Sequence, residues 1–237
     1  MTPPKVLVGT PTFDFHSYCL DEYGEAIKNL SYSNYDILLV DNSKEEGFYG
    51  ELLKRDIPAV RMGWFEKSRD RVVEGHNILR KKVLDEGYDY LFLLDSDTIP
   101  PRDVIERLLS HGKKVVSGMY YQPRTINGER LFIPVIRLGI PGNKDQWSIP
   151  PRELWDCGKL IRVVCSGTGC LLIHRDILKD FKFWYNPKGK GTDDIFFFKS
   201  LLDADVECYC DTGVVCRHLL SGKPYNWEVE DAKKGLY

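Results

Sequence analysis

The sequence predicts an α/β domain built on a mostly parallel central sheet flanked by helices. Three observations carry this. Runs apolar on both faces alternate with helical patterns through the first half of the chain. Small polar and acidic residues stand where those runs end, as in VGTPT, LLVDN and FLLDSD, which is where parallel sheets bind ligands. With 237 residues, 43% of them hydrophobic, the chain is long enough for one sizeable core.

In order, KVLVGTP (5–11) reads as a buried strand and SYCLDEYGEAIKNL (17–30) as a helix with apolar spacing. YDILLVDNS (35–43) is a second strand, FYGELLKR (48–55) a short helix and AVRMGW (59–64) a third strand. A longer helix over 68–85 stops at Gly87, and YDYLFLLD (88–95) is the fourth strand. Pro100 and Pro101 are expected to open a helix over RDVIERLLSHG, with Gly112 as its stop. KVVSGMYY (114–121) is a further strand. From 122 to 158 Pro, Gly and Asn recur and only FIPVIRLG looks strand-like, so a loop-rich region over the strand ends is expected. Residues 161–178 return to strand character, broken by Gly167 and Gly169. A Gly-rich loop at 184–194 leads into the helix DDIFFFKSLLDA, and strands at 206–211 and 213–219 close the fold. Residues 221–237 read as a polar surface tail.

Composition narrows the function. A formal net charge of −2 and the lack of a basic run give no footprint for nucleic acid. No apolar run approaches the length of a transmembrane segment, and the first residues are too polar for a signal peptide. A cytoplasmic protein is expected, with room for peripheral work beside a membrane. The seven cysteines read mostly as buried thiols. Cys208, Cys210, Cys216 and His218 form a C-x-C…C-x-H pattern, a weak match to structural zinc, and a disulfide among the three thiols stays open.

The chemistry concentrates in three places. Asp95-Ser96-Asp97 ends the fourth strand, where side chains two apart share a side. Such a pair can hold a hard divalent cation against phosphate oxygens, or supply a nucleophile and its acid/base partner, or merely end a strand and cap a helix. Asp193 and Asp194 open a helix after Thr192, where acids also favour the helix dipole; neighbours on a helix diverge, so at most one faces a site. A carboxylate crowded there would be a better general base than a free one. His218, near the end of the last strand, reads either as a core histidine or as a ligand.

Taken in order, VGTPTF, ILLVDNS, EGHNILRKKVLDEGYDYLFLLDSD, VVCSGTGCLLIHRDIL and GTDDIFFFKSLLDADVECYCDTGVVCRH resemble the family 2-like glycosyltransferases of the GT-A fold. The resemblance covers about residues 5–219. It implies a nucleotide-binding half (1–118) and an acceptor and catalytic half (119–220). It further implies a UDP- or GDP-sugar donor, a divalent metal (Mn2+ or Mg2+), and a glycan, lipid-linked or protein acceptor. By position it sets Pro11 and Thr12 beside the nucleotide, Asp41 on the base, and Asn77 as the asparagine of the A-R-N signature. It puts Asp95 near the ribose or the metal's water, Ser96 among the nucleotide-sugar contacts, Asp97 on the metal, His218 as a further metal ligand and Asp194 as catalytic base. Departures are His76 for the arginine of A-R-N, with Arg71 and Arg80 nearby, Asp193 for the usual Glu, and no Q-x-x-R-W run.

Two rivals remain at this point. A haloacid-dehalogenase-type phosphatase would use Asp95 and Asp97 with Lys188 or Lys190 and the later acid pair. A GT-A-like domain could also bind nucleotide-sugars without turnover. Tyr120, Tyr121, Trp147 and Trp155 are candidates for a sugar-stacking platform or for a core lid.

Overall fold

A computed structural model describes residues 2–126, 128–189 and 191–220, and the backbone of 226–227. The first half alternates as expected: β1 (Val6–Thr12), α1 (Leu20–Lys28), β2 (Tyr35–Asp41), α2 (Gly47–Lys54), β3 (Ala59–Arg61), α3 (Ser68–Asp85) and β4 (Tyr90–Leu93). Then come β5 (Thr98–Ile99), α4 (Val104–Ser110), β6 (Val115–Met119), β7 (Tyr121–Ile126), β8 (Glu129–Pro134), β9 (Ile136–Ile140) and β10 (Asn143–Ser148). The chain closes with β11 (Leu160–Val163), β12 (Cys165–Ser166), β13 (Leu171–His174), α5 (Arg175–Asp180), α6 (Asp193–Asp203), β14 (Cys208–Val215), β15 (Arg217–Leu219) and β16 (Asn226–Trp227).

Eight strands form the central sheet in the order β11-β14-β6-β13-β4-β1-β2-β3. β4, β1, β2 and β3 run parallel, as do β6 and β14, while β13 lies antiparallel between β4 and β6. Period-two side chains sort the strands into two apolar layers. Leu7, Leu91, Leu93 and Ile173 face Leu79 and Val83 of α3 and Phe197 and Leu201 of α6. Val6, Val8, Phe92 and Leu172 face Leu20 and Ile27 of α1, Leu52 of α2 and Leu108 of α4. Helices on both faces explain why the strands lack polar alternation.

Three expectations change. The region over 122–158 is strand-rich: β7 and β8 form a hairpin, and β9 pairs with both β10 and β12. The helix after the double proline starts only at Val104. A residue before proline is driven toward extended backbone, and Thr98–Ile99 instead pair with His218 and Arg217 of β15. β14 also runs unbroken through Gly213, with a register shift between Cys210 and Val215.

The zinc pattern does not assemble. Cys208 and Cys210 lie in one apolar layer and Cys216 in the other. All seven cysteines are free. Of the tail expected over 221–237, β16 pairs antiparallel with β15; the rest lies outside the described residues. Among the described residues no helix is long and apolar enough to cross a membrane.

Candidate active site

A cleft of about 690 Å³ opens beyond the carboxyl ends of β1 and β4, within the usual range for small-molecule sites. Its walls come from the start of α3, the start of α6 and the β7–β10 ribbons. Pro11, Asp95, Ser96, Asp97 and Asp194 line it.

The two acids of DSD stand on a turn. β4 ends at Leu93, and the Thr98 amide donates to the Asp95 carbonyl at 2.8 Å, closing the turn that carries Ser96 and Asp97. Buried hydrogen bonds hold it: Tyr23 Oη donates to the Leu94 carbonyl at 2.8 Å and Cys19 Sγ to the Ser96 carbonyl at 3.2 Å. Behind the turn, β15 returns through Leu219 N to Asp97 O at 2.7 Å. That backbone bond brings His218 Nε2 to 3.3 Å from Asp97 Oδ2.

The electrostatics of this pair agree from both sides. Burial alone would raise the Asp97 carboxyl, but the His218 hydrogen bond and charge, followed by His16, hold it below the ordinary range. Burial would lower the His218 imidazolium, and Asp97 outweighs it, so its pKa is raised. Asp95 differs: burial, then the charge of Asp97, pushes it up to about 7. Thr10 Oγ1 donates to Asp95 Oδ1 at 3.4 Å.

Two of the expected residues meet through one that the sequence does not single out. His16 lies on the turn after β1, and its Nδ1 is 2.8 Å from Ser96 Oγ and 3.4 Å from Thr12 Oγ1. Ser96 and Thr12 are also 3.1 Å apart. Thr12 is fully buried beneath this contact. A single histidine within FDFHSY has no periodicity to mark it.

At the other wall, Asp194 Oδ1 accepts from the Thr192 hydroxyl and, at 2.8 Å, from the Ile195 amide. Burial raises its pKa, against the pull of Thr192. Its neighbour Asp193 turns inward, with Oδ2 2.6 Å from His76 Nδ1. Both acids border the cleft, but their carboxylates diverge: Asp193 ties α6 to α3 through His76, and Asp194 is held by the start of its own helix.

Of the expected residues, Thr12, Asp41, Asn77 and His218 are absent from the cavity wall, and Asp41 and Asn77 are engaged elsewhere. The Asp41 carboxylate is fully buried, accepting from Ser43 N at 2.8 Å and lying 3.4 Å from Arg61 Nε, while its neighbour Asn42 lines the cleft. Asn77 spends its amide on backbone: Nδ2 donates to Val73 O and Phe183 O, and Oδ1 accepts from Phe183 N. It secures the segment after α5 and does not line the cleft. Of the two arginines beside His76, Arg71 lines the cleft and Arg80 binds the Phe181 and Lys179 carbonyls elsewhere.

The aromatic candidates split as well. Tyr120 and Trp147 line the cleft, whereas Tyr121 and Trp155 pack together in the core at 5.6 Å. Tyr120 fits because Gly167 and Gly169 carry no side chain: a Cβ there would stand 2.1 Å from its Oη and 2.7 Å from its Cζ. Of the lysines the phosphatase reading would use, Lys188 does not line the cleft and Lys190 lies outside the described residues. The Asp95–Asp97 turn follows the fourth strand of the chain, which opposes that reading.

The donor set can be tested against a divalent metal. No cluster of three or more His, Cys, Asp or Glu is placed to hold one among the described residues. What stands ready is a carboxylate and an imidazole. His218 Nδ1 donates to the Tyr121 carbonyl at 2.7 Å, so Nε2, which shares its proton with Asp97 in the absence of metal, is the nitrogen that becomes a ligand once a cation displaces that proton. This fits a hard cation that completes its shell with diphosphate oxygens and water.

No family model matches the chain, and no curated protein matches it. Solved structures do. GalNAc-T7, bound to UDP, GalNAc and Mn2+, superposes with a TM-score of 0.64 at 12% identity over 99% of this chain and 48% of its own. The mannosyltransferase PcManGT from Pyrobaculum calidifontis, in complex with GDP-Man and Mn2+, gives 0.61 at 14% over 95% and 59%. The fold is GT-A-like. A197 from STIV gives 0.51 at 17% over 92% and 86%. The chain spans about half the length of GalNAc-T7 and somewhat more of PcManGT.

Proposed function

We propose that the chain is a metal-dependent glycosyltransferase that moves a hexose-like sugar from a UDP- or GDP-sugar to an acceptor hydroxyl with inversion. One observation carries the reading: Asp97, with His218 Nε2 3.3 Å from its carboxylate, and Asp194 border a single cleft at the ends of parallel strands. The fold supports it, because structures sharing it hold UDP or GDP-Man with Mn2+.

In this reading the half over 1–118 binds the nucleotide and the half over 119–220 the acceptor. Pro11 and Asn42 flank the nucleotide, with Asp41 holding the Asn42 loop. Thr12, Ser96 and His16 brace the turn that carries Asp95 and Asp97. Asp97 and His218 hold Mn2+ or Mg2+, which when bound neutralises charge on the leaving diphosphate. Asp194 takes the acceptor hydroxyl proton on Oδ2, since both of its hydrogen bonds among the described residues engage Oδ1.

The test is release of UDP or GDP from UDP- and GDP-sugars with Mn2+, with and without EDTA. Acceptor-dependent release abolished by EDTA is expected. Phosphate release from p-nitrophenyl phosphate without sugar transfer would overturn the assignment. Tight UDP–Mn2+ binding with no transfer to any acceptor would make this a binding domain.

A further inference from the structure

The reaction above makes no use of His76 and Asp193. Both line the cleft, and both are positions where the chain departs from the glycosyltransferase pattern. Their side chains meet at 2.6 Å, 1% and 8% exposed. α3 reaches this contact because Gly75, one residue earlier, lies against Pro11: a Cβ there would stand 2.7 Å from Pro11 Cβ. The His76 ring packs on Phe183, with centroids 4.8 Å apart. The imidazole is thus held on three sides.

An ionised carboxylate only accepts, so His76 Nδ1 carries the proton and Nε2 keeps its lone pair in the neutral ring. That Nε2 is buried and has no hydrogen-bond partner. A polar atom left unpaired in the wall of a cleft calls for a ligand group. The ring shares the wall of this cleft with both Asp95 and Asp194. The group that must pass between a diphosphate on one side and a base on the other is the transferred sugar, whose hydroxyls are the matching donors.

We propose that His76 is a sugar-binding residue, held through Nδ1 by Asp193 and offering Nε2 to a hydroxyl of the transferred sugar. The inference rests on the glycosyltransferase reading and adds a specificity contact to it. A site that must satisfy a buried hydrogen-bonding atom discriminates against sugars lacking the matching hydroxyl.

Asparagine and glutamine separate the two nitrogens. His76→Asn keeps an amide near Nδ1, preserving the tie to Asp193, and removes the group at Nε2. His76→Gln sets an amide near Nε2 and loses the tie. Calorimetric Kd values with Mn2+ would be taken for UDP against UDP-glucose and for GDP against GDP-mannose, using the intact chain. In His76→Asn the diphosphate should bind as in the wild type, while the ratio of sugar-nucleotide Kd to diphosphate Kd rises about tenfold. His76→Gln should recover part of that ratio.

An unchanged ratio in His76→Asn overturns the proposal, as does equal loss for the diphosphate and the sugar nucleotide. Wild-type binding of UDP or GDP without binding of either sugar nucleotide also overturns it. Wild-type binding of no nucleotide removes the glycosyltransferase reading itself, and this inference with it.

Discussion

Among the described residues Asp194 accepts both of its hydrogen bonds on Oδ1, and that asymmetry defines what its replacement should do. Asp194→Asn keeps the shape and removes the proton acceptor, so kcat should fall by about 10²–10⁴-fold with UDP affinity unchanged. Full activity would remove the base from the mechanism. Burial holds this carboxyl above the ordinary range. A base works deprotonated, so kcat/KM should rise with pH through a limb above the ordinary Asp pKa of about 3.9. A limb at or below that value would contradict the assignment. Gly169→Ala would push a Cβ to 2.7 Å from Tyr120 Cζ. Such overpacking costs about 1–3 kcal/mol and should lower Tm by roughly 2–4 °C per kcal/mol in a chain of this size. An unchanged Tm would show that Tyr120 can move aside. At this scale the sequence marks Asp97, His218 and Asp194 as candidates, because few residue types could do the proposed chemistry and each stands near a strand or helix end. It does not separate Asp41 from Asn42, or reveal His16. Those depend on which backbone and hydroxyl groups converge from distant segments.

Among the elements, α3 does more than cover the sheet. Asn77 ties it to the segment after α5 through Phe183 N and O, and His76 ties it to α6. Asn77→Ala leaves the Phe183 groups unpaired, a loss of about 1–3 kcal/mol. Thermal melting should fall accordingly, while the UDP Kd measured well below the melt should not change. A selective loss of UDP binding at constant Tm would return Asn77 to the nucleotide site. The parallel half of the sheet and α3 itself were legible, since β1, β2 and β4 are apolar on both faces and the 68–85 pattern is long and periodic. The ribbons of β7–β10 were not. Their short strands face solvent along much of their length and are interrupted by Pro, Gly and Asn, which erases alternation. The late start of α4 was hidden for another reason. Pairing of Thr98 with His218 is a contact between distant segments that no local pattern announces.

Across the whole molecule, the site is assembled where β15, late in the chain, returns to its middle. β15 pairs with β5 and its Leu219 amide binds the Asp97 carbonyl, so the Asp97–His218 unit exists only when these two distant segments are in place. The chain contributes two candidate ligands there and not a closed cage, among the described residues. Metal and nucleoside diphosphate should therefore complete each other. Mn2+ alone, with two protein ligands, should raise Tm little, and UDP or GDP alone should bind against the acids of the DSD turn. Together they should give a shift larger than the sum. The stabilisation would approach about 2.7 kcal/mol when free ligand reaches a hundred times Kd. Asp97→Asn and His218→Ala should each remove the excess and leave any metal-independent shift. Strictly additive shifts in the wild type, or an excess that survives in Asp97→Asn, would mean that the pair is a structural clasp between β5 and β15 and that any metal binds elsewhere.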